Sequence, residues 1–276
     1  MNAAFRLTFA MAAMCISALP AQAQGQPFDR TGFQAQFQTF SHNVRGTVTI
    51  VDEDTLSFEN FSYDGGGFSV FFYLGANASE AAFAQGLPFG PQLVGTTHNG
   101  SSFTLDLPSG VTMDAFNGIS VWCVPAGFSF GSGAFQQQDA QTYCTPKVNS
   151  LGCTPSIQSV GLPSMTNPSV FTVSGSGIPA DRTGALAYSL AADNTPFAGG
   201  TRCIAGPMRI GALTRSGGTA GTCDGILSVD FNARIQAGLD PTLVAGREVF
   251  VQYIYRDPQD PTGIGLTDAA SFFVGP

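Results

Sequence analysis

Six cysteines, at positions 15, 123, 144, 153, 203 and 223, are the residues whose spacing says most about the chemistry open to this chain. Cys15 lies in an apolar stretch from Leu7 to Leu19, after the single charge of Arg6, and Ala21-Gln22-Ala23 supplies small residues for a cleavage point before Gln24. That order predicts a secretory signal peptide over residues 1–23. Met14 stands where lipid attachment at Cys15 would want a small residue, so lipidation is not expected. Five cysteines then remain, and an odd count in an exported chain leaves one thiol free or shared between molecules. Cys144 and Cys153 flank the turn-forming loop "TPKVNSLG", while Cys203 and Cys223 flank a longer Gly-rich connection. Spacing makes Cys144–Cys153 and Cys203–Cys223 the simplest pairing, with Cys123 reduced. Each closure would remove about 2–3 kcal/mol of unfolded-state freedom.

A thiol becomes reactive when a cation or a helix N-terminus lowers its pKa. Between residues 41 and 136 the fixed cation is Arg45, and both histidines of the chain, His42 and His98, fall in the same block. Cys123 is therefore the redox candidate, with its neighbour Trp122, Arg45 and His42 in support. The bland reading stands beside it, because free cysteine is among the most buried residue types and fills cores as a small hydrophobe. Cys123, His42 and His98 are ligand types for a metal or haem. No C-x-x-C-H and no short-spaced ligand pair is present, so no metal site is expected, and isolated histidines near turns read as solvated.

Other motifs carry less. "GFSFG" (127–131) matches the G-x-S-x-G nucleophile pattern at Ser129, yet Phe-Ser-Phe reads as strand and both histidines lie upstream rather than downstream. "GSGIPA" (175–180) mimics a dinucleotide fingerprint without the βαβ unit it needs. Asp52-Glu53-Asp54 and the pair Asp257 and Asp260 match no calcium loop and read as solvated acidic turns. No acid, base and nucleophile assemble, so an enzyme is not favoured.

The elements that must position these residues are strands. "GTVTIV" (46–51) alternates, Leu56 and Phe58 resume the alternation, and "FSVFFYLG" (68–75) is apolar enough for a central strand. "SFTLDLP" (102–108) follows, and "ISVWCV" puts Ile119, Val121 and Cys123 on one face with Ser120, Trp122 and Val124 on the other. Phe128 and Phe130 alternate again. A helix of a turn or two fits "ASEAAFAQG" (78–86). After the polar stretch "QQQDAQ" (136–141), further strands are expected at 170–178, 185–191, 225–235 and 249–258. The 34 glycines and sparse charge suit short strands and tight turns rather than helices. The expected organisation is all-β: a leader at 24–40, a β domain at 41–136, a linker at 137–142 and a disulfide-stapled domain at 143–276. Both domains are read as antiparallel β-sandwiches.

Eleven Lys and Arg stand against 19 Asp and Glu, a net charge of −8, and Lys147 is the lone lysine. Nucleic-acid binding needs a cationic face to displace counterions, so that class is excluded. No segment beyond the signal is long and apolar enough to span a membrane.

Residues 41–136 resemble the DM-thirteen domain, an electron-transfer family. The likeness is carried by "SHNVRGTVTIVDEDTLSFENFSYDG", "VFFYLG", "FTLDLP" and above all "ISVWCVPAGFSFG". It implies an extracellular or cell-envelope protein whose family cysteine, at Cys123 here, transfers electrons as a bare thiol or holds haem or another prosthetic group. The family often carries this domain beside a haem-binding sandwich, and no such domain is recognised in this chain. Residues 143–276 resemble an exported bacterial β-domain with no established activity, through "YCTPKVNSLGCTPSI", "FAGGTRCIAGPMRI", "GTCDGILSVDFN" and "VQYIYRDPQDPTGIGLTDAASFFV". Together these imply a periplasmic, cell-surface or extracellular protein that exchanges electrons with a partner protein. The competing class is a non-catalytic binding or adhesion module that recognises protein or glycan, with Cys123 structural.

Overall fold

The computed structural model describes residues 28–276; the signal peptide expected at 1–23, with Cys15, lies outside them. In chain order the first block comprises β1 (Gln34–Gln36), β2 (Gln38–Thr39), β3 (Arg45–Ile50), β4 (Thr55–Tyr63), β5 (Val70–Gly75), α1 (Glu80–Ala84), β6 (Leu87–Phe89), β7 (His98–Asp106), β8 (Gly118–Cys123) and β9 (Phe128–Ala134). Two antiparallel sheets form, ordered β1-β3-β4-β7 and β2-β9-β8-β5-β6. Their inner faces share one core, as alternating apolar residues require. Phe58 stacks on Phe103 with ring centroids 4.8 Å apart and meets Phe72 of the opposite sheet at 4.6 Å. Such aromatic pairs add roughly 0.5–1.5 kcal/mol each beyond their buried area.

Residues 34–39 were expected within a leader that lacks a strand pattern. They instead close one edge of this sandwich. Ala35 and Phe37 point into the core, β1 pairs with β3, and β2 pairs with β9 of the other sheet. The glutamines between them mask an ordinary period of two. The short helix at 78–86 is present as α1, where Ser79 caps it by accepting the Ala82 N–H at 3.2 Å.

The second block continues with β10 (Gln141–Tyr143), β11 (Ser156–Val160), β12 (Thr172–Ile178), β13 (Thr183–Ser189), β14 (Ala192–Phe197), β15 (Gly200–Ile204), β16 (Arg209–Ile210), β17 (Thr214–Arg215), β18 (Gly225–Asp230), α2 (Phe231–Gln236), β19 (Glu248–Arg256) and β20 (Ile264–Phe273). The large sheet runs β10-β20-β19-β13-β16 and faces the smaller β11-β12-β18 across a separate core around Tyr253, Phe231 and Phe272. The segment 225–235 begins as the expected strand but turns helical at Phe231. Asp230 accepts the Asn232 and Ala233 N–H groups there and ends the strand as an N-cap.

The disulfides correct the pairing expected from spacing. They are Cys144–Cys203 and Cys153–Cys223, closing separations of 59 and 70 residues. Sequence proximity misled because the loop from Asn149 to Cys153 closes on its own hydrogen bonds: the Asn149 carboxamide oxygen accepts from Leu151 and Cys153. Both cysteines flanking the loop are thereby free to bridge to distant strands.

Lys147 explains the acidic residues near the C-terminus. It is buried, and its ammonium donates to the Ala198 and Ile264 carbonyls, the Thr262 hydroxyl and Asp260, all within 2.9 Å. Asp260 is held at a pKa of about 2, chiefly by that bond. Asp257 is fully buried and accepts the Ser150 N–H at 2.8 Å. The pair is thus structural and not a solvated turn, whereas Asp52-Glu53-Asp54 is an exposed turn in which Asp52 accepts the Thr55 N–H.

Candidate site around the buried thiol

Strand β8 lies between β5 and β9 because all six of its residues are buried and short enough in polarity to sit mid-sheet. The alternation read from the sequence holds. Ile119, Val121 and Cys123 enter the core between the sheets, while Trp122 packs on the other face against Tyr73 and Phe83 of α1. Ser120 donates to Ser129 at 2.7 Å on that outer face. Ser129 is itself buried, and its N–H is taken by the Glu80 carboxylate at 3.1 Å. Nothing in that arrangement activates a serine nucleophile.

Cys123 is the free cysteine among the described residues and is 3% exposed. It ends β8, opposite Val70 of β5 and Phe128 of β9. Its Sγ–H donates to the Phe68 carbonyl at 3.4 Å. Phe68 is itself 80% exposed, so the carbonyl that takes the thiol hydrogen belongs to the backbone of a surface residue. That backbone is the turn Asp64–Ser69, which the sequence marks with three glycines. Gly67 is required there: its φ is +95°, and a Cβ would lie 2.8 Å from the Phe130 ring.

Beneath the turn, Tyr63 donates its hydroxyl to the Gly66 carbonyl. Burial first, then the charge of Asp64, push the Tyr63 phenol up to about 12, so it remains protonated at neutral pH. Its ring stacks on Phe130 at 6.5 Å, and Phe130 in turn meets His42 at 4.0 Å. His42 Nδ1 lies 2.9 Å from the Asp64 carboxylate. The Gly66 N–H, followed by His42, holds Asp64 below its ordinary range. His42 and Asn43 both have φ near +50°, a conformation that costs a non-glycine residue roughly 1 kcal/mol and fixes the imidazole over Phe130. A run of aromatic rings and one imidazole therefore leads from the thiol's surroundings to the surface.

The supporting residues named from sequence divide. His42 joins the cluster through Phe130 and Tyr63. Trp122 lies on the opposite face of β8 from the thiol. Arg45 pairs with Ser62 on the side of β3–β4 away from the core, its Nε 3.3 Å from the Ser62 hydroxyl. His98 packs on Phe61 and Phe103 instead, and burial lowers its pKa. Tyr63, Asp64, Phe68 and Phe130 were not singled out in the sequence. Their one visible signal was the "YDGGGF" run, whose glycines mark a tight approach of backbone to side chains.

The surroundings of Cys123 suit a bare thiol better than an axial ligand. Its hydrogen is already given to a carbonyl, and it lies within the packed apolar core of the first block. Among the described residues, no three His, Cys, Asp or Glu side chains converge as metal ligands.

Residues 36–135 match the family model described as electron transfer DM13. This segment is a DM13 domain. Its match begins five residues before the expected boundary and so takes in the Phe37 and β2 contacts of the sandwich edge. A stretch of 102 residues is 29% identical to a cytochrome b561, DM13 and DOMON domain-containing protein of Arabidopsis thaliana. The aligned stretch covers 36% of this chain and 11% of that relative, so the chain corresponds to about a tenth of the relative's length. No solved structure matches significantly.

Proposed function

We propose that the DM13 domain is an exported electron-transfer module in which Cys123 exchanges one electron with a partner protein. The observation that carries this reading is a lone thiol kept out of disulfide exchange, in a chain whose other four described cysteines are bridged, yet hydrogen-bonded to the backbone of a surface residue. The step balances as loss of one electron to the partner and of the Sγ proton to solvent water, the Phe68 carbonyl giving up the hydrogen bond it accepts from the thiol. The partner is a one-electron acceptor of haem type, a class supported by the cytochrome and DOMON domains named in the Arabidopsis relative.

The competing reading makes Cys123 a core filler, and the observation behind it is burial within the main cluster of the first block. The two differ in behaviour toward a b-type cytochrome. Wild-type protein is expected to exchange electrons with the cytochrome in stopped-flow absorbance, and Cys123→Ser at least tenfold more slowly with unchanged folding. Equal rates in the two proteins, together with a thiol that resists modification until the protein unfolds, would leave only the structural role.

A further inference from the structure

The edge strand that replaces the expected leader has an outward face with no assigned role. Because Ala35 and Phe37 point into the core, Gln34, Gln36 and Gln38 all point outward, spread over roughly 13 Å of extended chain. The end of β9 and the residues after it face them. Gln38 pairs with Ser132, and Gln34 bridges to Gln136. Gly133 lets the two backbones close in, since a Cβ there would lie 2.4 Å from the Gln36 carbonyl. The result is a cleft of about 550 Å³ with a floor of small residues and walls of glutamine, and with Phe40, 52% exposed, at its end. A second cleft of about 380 Å³ shares Gln34, Gln36 and Gln138 and extends the first toward the second block.

We infer that this cleft is a binding site for a neutral glycan chain. No charged side chain lines the 550 Å³ cleft, and the charged residues of the adjoining one, Asp139 and Glu248, are both acidic, so an anionic ligand finds no counter-charge. A carboxamide donates and accepts at once, which is what a hydroxyl also does, and a row of carboxamides therefore complements a row of hydroxyls. Phe40 presents an aromatic face suited to the C–H face of a sugar ring. A net charge of −8 opposes acidic polymers at long range. A protein partner would call for an apolar centre with aromatic or Arg anchors, and the centre here is amides and small residues.

The test is affinity electrophoresis in native gels containing a soluble β-glucan, dextran or galactomannan, with polygalacturonate as the charged counterpart. At least one neutral polysaccharide is expected to retard the wild-type protein. Gln36→Ala combined with Gln38→Ala should weaken that retardation at least tenfold at an unchanged melting temperature, and Phe40→Ala should weaken it by a smaller factor. Leu239→Ala, at an 84% exposed residue outside the cleft, should leave it intact, as should Cys123→Ser. Retardation by none of the neutral polymers, or by polygalacturonate alone, would overturn the inference. So would retardation that survives the double substitution, or a dimer in sedimentation that the same double substitution dissolves.

Discussion

The two halves of this chain solve the same problem with different chemistry. The first block is held by a phenylalanine-rich core with one unbridged thiol inside it. The second is held by two disulfides and by a buried lysine that ties three chain segments together. In an oxidising compartment, cysteines able to reach one another end as bridges. A cysteine kept reduced must be kept away from them, and the fold places Cys123 in the core of the first block while the other four lie in the second. The contrast shows that the fate of each cysteine follows from topology rather than from sequence spacing.

Trp122, the single tryptophan, reports on the first block alone, whereas four of the six tyrosines (Tyr143, Tyr188, Tyr253 and Tyr255) lie in the second, so tyrosine circular dichroism is weighted toward that half. Reduction of both disulfides is the largest expected perturbation. Each closes a loop long enough to contribute about 4 kcal/mol on the chain-entropy model. Tyrosine circular dichroism should then report unfolding of the second block at much lower denaturant, while the Trp122 fluorescence transition stays in place. A Trp122 transition that moves equally would mean the halves unfold as one. Phe58→Ala is the mirror experiment. Emptying a fully buried ring site should cost about 3–5 kcal/mol, and the shift should be seen first by Trp122.

Lys147→Met comes next, at about 2–3 kcal/mol, because it strands the Ala198 and Ile264 carbonyls without their donor. It should move the tyrosine signal. The same cluster sets an acid response. Asp260 has its pKa depressed from 3.8 to about 2, so its contribution is complete above the unfolded value of 3.8 and is lost as pH falls through about 2. Denaturation midpoints of the second block measured from pH 5 down to pH 2 should fall, and should fall less in Lys147→Met. The smallest effect is expected for Cys123→Ser, about 1 kcal/mol, since a hydroxyl can still donate to the Phe68 carbonyl.

Much of this was legible in the sequence, and the losses have physical causes. The alternation in "ISVWCV" placed Cys123 inward and Trp122 outward correctly, because β8 pairs residue for residue with β5, and the one register shift against β9 skips Phe130 of β9 rather than a residue of β8. The helix at Glu80–Ala84 was also visible, in the stretch "ASEAAFAQG". The edge strand at 34–39 was not, because glutamine carries no strand signal and its inward partners are only Ala35 and Phe37. The disulfide pairing was hidden for a different reason: it depends on which strands meet across the second core, and no local spacing records that. In the site itself, His42 was within reach of sequence reasoning. Tyr63 and Phe130 were not, since their meeting requires the turn at Asp64–Ser69 to fold over β8.

The most direct test of the electron-transfer role is flash-photolytic one-electron oxidation by a photogenerated ruthenium(III) polypyridyl complex, with spin trapping and mass spectrometry to locate the radical. The account predicts a trapped adduct on Cys123 in the wild-type protein and none at that position in Cys123→Ser. Adducts confined to Trp122 or Tyr63, with Cys123 untouched in the folded protein, would contradict it.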